Sequence, residues 1–120
     1  MVPTVVPTSD LPPLIGPRGA IPGRQLFEGI RFGLQHLSFI FGETAPGQGI
    51  ALHSHDYEEA IIVHSGTGTY TVGESTIEAG PGDVVIIPSQ IPHRFVNRAQ
   101  EPLQHTAVHS SGTFELQYQD

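Results

Sequence analysis

No cysteine occurs in this chain, so a disulfide frame, a thiolate nucleophile and a cysteine-ligated zinc site are all excluded. Lysine is missing too: the five basic residues are all arginine, against 12 acidic ones, for a formal net charge of −7. A chain this poor in cations argues against nucleic acid and against anionic membranes as partners. No apolar run approaches the length of a bilayer span. No basic region followed by an apolar run opens the chain, so no secretory signal is expected. Sustained helical periodicity is also absent over any window of about eleven residues. The expectation is a soluble, cytoplasmic, largely non-helical protein that works on a small molecule.

What the chain does have is turn residues. It carries 14 Gly and 11 Pro in 120 residues, with only 14% charged residues. This balance favours many turns and few long helices. Residues 1–23 hold more than half of the prolines, so residues 1–24 are expected to form an extended N-terminal arm and 25–120 a single domain. The arm's apolar residues, Val5, Val6, Leu11, Leu14 and Ile15, either pack on the chain's own body or pair with a second subunit. From residue 25 onward, short apolar or alternating runs are punctuated by turns. The expected strands are 26–32, 34–42, 50–55, 60–64, 68–72, 75–79, 84–88, 93–97, 103–110 and 113–117. Pro46-Gly47 and Pro81-Gly82 place Pro where φ is fixed and Gly where φ is free. About ten short strands in one small domain read as an all-β sandwich or barrel.

The chemistry is concentrated in His53-Ser54-His55-Asp56-Tyr57-Glu58-Glu59, with His93 downstream. Side chains alternate across a strand, so His53 and His55 share a face. Imidazoles and a carboxylate together suit Fe, Mn, Ni, Zn or Cu. Gly47 is followed after five residues by His53, then His55, Glu59 and Gly66; Gly82 is followed by Pro88, His93 and Asn97. These two ordered elements, 15 residues apart, resemble the two motifs of the cupin superfamily, and in particular its small single-domain members. The first matches at every position. The second departs once: Gln90 stands where the family has Gly.

The resemblance implies a double-stranded β-helix, or jelly-roll, barrel, often assembled as a homodimer. It implies one divalent transition metal per chain held by His53, His55, Glu59 and His93, with Pro88 and Asn97 as structural residues. Three neutral imidazoles and one carboxylate leave a divalent ion with net charge about +1 and open positions for substrate. Glu59 is preferred over Glu58 because its spacing fits and it shares a face with Ile61 and Val63. His36 is the candidate acid/base group. His64 falls on the face opposite Glu59. His105 and His109 share parity with Leu103 and Ala107, and are either polar strand residues or outer partners of the site. Phe39, Phe41, Tyr57, Tyr70 and Phe95 are candidate cavity residues. Three function classes stand: a metalloenzyme, of O₂-dependent dioxygenase type or a metal-assisted isomerase or cyclase; a non-catalytic module that binds a metal or a small molecule; and a mainly structural dimer whose site is vestigial.

Overall fold

Short runs rich in Val, Ile, Thr and aromatic residues, separated by Gly and Pro, fold as antiparallel strands. The protein is described by a computed structural model over residues 4–119. In chain order the strands are β1 (Pro13–Gly16), β2 (Gly19–Phe27), β3 (Ser38–Thr44), β4 (Gly49–Ser54), β5 (Glu59–Ser65), β6 (Gly68–Val72), β7 (Ser75–Ala79), β8 (Val84–Ile87), β9 (His93–Val96), β10 (Leu103–His109) and β11 (Gln117–Tyr118). One sheet has the order β1-β2-β3-β10-β5-β8 and the other β11-β4-β9-β6-β7. Every pairing is antiparallel. From β3 to β6 the chain crosses from sheet to sheet at each step, and it does so again from β7 to β10. This winding is the jelly roll, and the core lies between the two sheets.

Alternation along the strands decides what lines that core. On β10, Leu103, His105, Ala107 and His109 are all buried. On β5, Glu59, Ile61 and Val63 are buried while Glu58, just before the strand, is exposed. On β8, Val85 and Ile87 are buried, whereas Val84 and Ile86 are 55% and 73% exposed. Leu14, Ile21, Ile40, Tyr70, Phe95 and Leu103 complete the apolar filling. Each such side chain contributes about 1.5–3 kcal/mol on burial. Imidazoles and a carboxylate therefore sit on inward-facing positions that the strand period reserves for apolar residues.

Three expectations change. The run 26–32 is not one strand: β2 ends at Phe27 and Gly29–Phe32 forms a 3₁₀ turn, closed by Gly33 at φ 83°. Phe32 then folds back to stack on Phe27, with ring centroids 4.3 Å apart. The run 113–117 pairs only at Gln117–Tyr118. The proline-rich segment is extended, but it is woven into the six-stranded sheet as β1 and β2, and the boundary expected between residues 24 and 25 falls inside β2. Leu11 and Leu14 pack into the chain's own body, while Val5 and Ile15 stay exposed.

Candidate metal centre

β4 delivers His53 near its end and His55 just beyond it, β5 opens with Glu59, and β9 opens with His93. His53 faces His93 directly across the β4–β9 pairing, with ring centroids 4.1 Å apart. His55 reaches the same point from the turn after β4, its ring 4.9 Å from that of His93. Glu59 faces His109 across the β5–β10 pairing. All five side chains are buried.

Hydrogen bonding fixes the tautomers of the three motif histidines. The Nδ1 of His53 lies 2.8 Å from the Ala51 carbonyl, that of His55 2.9 Å from the Tyr57 carbonyl, and that of His93 2.8 Å from the Ile91 carbonyl. A carbonyl only accepts, so each Nδ1 carries a proton, and in the neutral ring that metal ligation requires each Nε2 presents a lone pair. One ligand atom from each of the three lies within 4.8 Å of the others. Glu59 Oε1 is 2.8 Å from His55 Nε2 and 3.2 Å from His93 Nε2. The His93 contact is close but poorly aligned, leaving that Nε2 a buried nitrogen without a hydrogen-bond partner. Donor atoms about 2.1 Å from a common ion and at right angles to each other lie about 3.0 Å apart. The spacing, the exposed lone pairs and the orphaned nitrogen all fit a transition metal.

Burial sets the electrostatics. Loss of water lowers the His53 pKa to about 4, with the neighbouring His93 adding to the effect. The ring is thus neutral near pH 7, as a ligand must be. Burial alone would raise the Glu59 pKa, but the charge of His109 and contacts with the surrounding imidazoles outweigh it, holding the carboxyl well below its usual range.

His109 joins this cluster, where the sequence left it open as a strand residue or an outer partner. Its Nε2 is 3.5 Å from Glu59 Oε1 and its Nδ1 2.7 Å from the Tyr57 hydroxyl. A carboxylate only accepts, so Nε2–H faces Glu59, while the Tyr57 hydroxyl bonds Nδ1 and also reaches the Glu115 carbonyl. The signal was its parity with Leu103 and Ala107 on β10. His36 does not join: it is exposed, in the loop before β3, and takes no part in lining the cavity. His64 is exposed and bonds Thr106. Phe39 and Phe41 line a separate groove with Phe27 and Phe32, whereas Phe95 lines the cavity beside the imidazoles. That cavity has a volume of about 40 Å³.

Gln90 is the one described residue other than glycine with a positive φ, at 69°. It therefore adopts the backbone that the family's glycine supplies. Its N–H donates to the His55 carbonyl at 2.9 Å, tying the loop before β9 to the strand end that carries two of the imidazoles. Asn97, fully buried, donates to the carbonyls of Thr44 and Glu101.

A family described as a cupin domain matches residues 41–109. The chain belongs to the cupin family. Its solved relatives are distant. This cupin shares 25% identity with a cupin 2 conserved barrel domain protein from Rhodopseudomonas palustris, covering 81% of this chain and 66% of that one at a TM-score of 0.69. It shares 26% with the oxalate decarboxylase of Lactobacillus farciminis, covering 90% of this chain but 33% of that one, at a TM-score of 0.75. The polyketide cyclase RemF from Streptomyces resistomycificus matches at a TM-score of 0.76 over 98% of this chain and 85% of that one, with 20% identity. No curated protein matches the chain. Among the described residues, no helix is long and apolar enough to cross a membrane.

Proposed function

We propose that this cupin is a mononuclear metalloenzyme in which His53, His55, Glu59 and His93 hold one divalent transition-metal ion and a small organic molecule reacts beside it. The observation that carries the reading is the 2.8 Å approach of His55 Nε2 to Glu59 Oε1 while His55 Nδ1 is committed to a carbonyl. Two lone pairs do not rest at that distance without a positive charge between them. A proton relieves one such contact, and a divalent cation relieves all of them together. When bound, the ion supplies Lewis-acid polarisation of substrate oxygens.

The chain's own groups do the rest. The Nδ1–H bonds to Ala51, Tyr57 and Ile91 fix the ring orientations. Glu59 offsets part of the ion's charge, and His109 orients Glu59. Ile40, Ile61, Phe95 and Leu116 keep the cavity apolar, which strengthens every polar contact made in it. Metal-assisted isomerisation or cyclisation and O₂-dependent carbon–carbon cleavage are the reaction classes the family resemblance implies. The oxalate decarboxylase relative supports chemistry at a carbon–carbon bond, whereas RemF, at 20% identity, supports the fold alone.

Elemental analysis of the purified protein is expected to find about one transition-metal ion per chain. A deficit that Fe, Mn, Ni and Zn all fail to restore would overturn the reading. Adding the metal to verified apo-protein should raise the melting temperature, by the equivalent of about 2.7 kcal/mol at 100 times the dissociation constant. A homodimer using the exposed Val5 and Ile15 belongs to the same proposal. Light scattering that returns the mass of one chain would remove it.

A further inference from the structure

The cavity has a second polar pole that the metal does not explain. Arg24, on β2, is only 6% exposed and lines the cavity with its guanidinium 4.8 Å from the Phe95 ring centroid. Its five N–H donors find two acceptors among the described residues: the Thr44 hydroxyl and, at 3.4 Å, the Pro22 carbonyl. None of the carboxylates among the described residues pairs with it. Its neighbours supply no anion either. Burial raises the Tyr70 phenol above its usual pKa, and the same loss of water, followed by the charge of Arg24, lowers His105 to about 4. Burial also lowers Arg24 itself, to about 10, which leaves it charged near pH 7. A buried cation with no anion is costly, and folds retain one where something else completes the pair.

His105 strengthens the case. It lines the cavity beside Phe95, with ring centroids 4.7 Å apart. The buried Tyr70 hydroxyl lies 2.7 Å from His105 Nδ1 and has no other partner among the described residues, so it donates there. The proton of the neutral ring is then on Nε2, a second donor beside the guanidinium. Phe95, under Arg24, is two residues from His93 on β9, about 7 Å along the strand. The two poles are thus a short molecule's length apart, in a cavity of about 40 Å³.

We infer that Arg24, assisted by His105, receives the carboxylate of a compact organic acid whose other end presents its oxygens to the ion that His53, His55, His93 and Glu59 would hold. This assignment rests on the metal reading for the far end of the molecule but not for the carboxylate end. A planar guanidinium holds a carboxylate through two parallel hydrogen bonds, so the preferred substrates are acids rather than their amides or esters. Arg24 lies on β2, ahead of the matched span 41–109.

The test uses calorimetric titration of the full chain with malonate and succinate, and with malonamide and succinamide as neutral isosteres. Metal content and metal affinity are measured first on the same samples, so failure of the metal reading is seen on its own; the titrations are then run on both metal-loaded and metal-free protein. The expected result is a preference of about 10- to 100-fold for at least one acid over its amide. That preference should be lost in Arg24→Gln, partly restored in Arg24→Lys, and unaccompanied by any change in metal affinity. Equal binding of acids and amides by the wild-type chain, which needs no folded variant, would overturn the assignment. So would an acid preference that survives intact in Arg24→Gln.

Discussion

The buried histidines around the cavity fall into two sets, and the difference between them separates metal chemistry from support. In His53, His55 and His93, Nδ1 faces a backbone carbonyl; in His105 and His109, it faces a tyrosine hydroxyl. A carbonyl fixes the proton on Nδ1 and leaves Nε2 as a base. A hydroxyl that donates does the reverse, making Nε2 a donor. His109 approaches Glu59 Oε1 to 3.5 Å with its Nδ1 against a hydroxyl, whereas His55 approaches the same oxygen to 2.8 Å with its Nδ1 committed to a carbonyl. The first set brings together three nitrogens suited to a metal ion, and all five rings are buried.

The largest effect should come from breaking the first set. His93→Ala and Glu59→Ala each remove a donor atom, and isothermal titration with Zn or Mn should show losses beyond the 10–100-fold typical of an outer partner. Glu58→Ala, at an exposed position, should leave affinity unchanged. The cluster also contains the triad His55, Glu59 and His109. A greater loss in His109→Gln than in His93→Ala would shift the ion to that triad and undo the division into sets. If Glu58→Ala proved worse than Glu59→Ala, the carboxylate ligand would be the wrong neighbour.

The next effect concerns the second set and acid. Burial lowers the His105 pKa from 6.5 to about 4 in the folded chain. Between those values the unfolded state binds more protons, so stability is fully present above about pH 6.5 and is lost as pH falls toward 4. A shift of this size corresponds to about 3 kcal/mol. His105→Gln should flatten the acid limb of melting temperature against pH by up to about one proton. An acid limb unchanged by that substitution would mean that His105 is protonated in the fold, and so is not an Nε2 donor beside a neutral Nδ1.

A smaller effect tests how His109 is held. Tyr57→Phe removes the hydroxyl that bonds Nδ1, and with it the contacts to the Glu115 backbone. Metal affinity should fall about tenfold, as for an outer partner that orients a ligand. An unchanged affinity would show that Glu59 is positioned without the Tyr57–His109 relay.

Much of this was legible in the sequence, for physical reasons that also mark where legibility stopped. Period-two alternation placed Glu59 with Ile61 and Val63, and placed His105 and His109 with Leu103 and Ala107, because a strand has only two faces. The hairpin runs 68–72 and 75–79 match β6 and β7 end to end, since Gly73 fixes the turn between them. His36 failed because parity with Ser38 matters only inside a strand, and β3 starts at Ser38. Arg24 lay in a segment whose prolines read as an arm. Proline lacks one ladder donor but is tolerated in a peripheral pairing, and nothing local says which core an added strand will border. The tyrosine hydroxyls that separate the two histidine sets come from positions 35 and 52 residues away along the chain, a distance no local pattern spans.

The smallest effect sharpens the comparison from the loop that carries His93. Gln90 holds φ at 69°, where a side chain costs roughly 1–2 kcal/mol relative to the right-handed region and glycine adopts the angle freely. Its side chain is exposed, and its one contribution toward the site is the backbone N–H bond to the His55 carbonyl, which any residue other than proline provides. Gln90→Gly should therefore raise stability by about 1 kcal/mol after the added flexibility of the unfolded chain is subtracted, with metal affinity unchanged. The melting temperature would rise by a few degrees. A fall in melting temperature would mean that the glutamine side chain holds the loop. A fall in metal affinity at constant stability would mean that this loop, rather than the Nδ1 bond to Ile91, sets the orientation of His93.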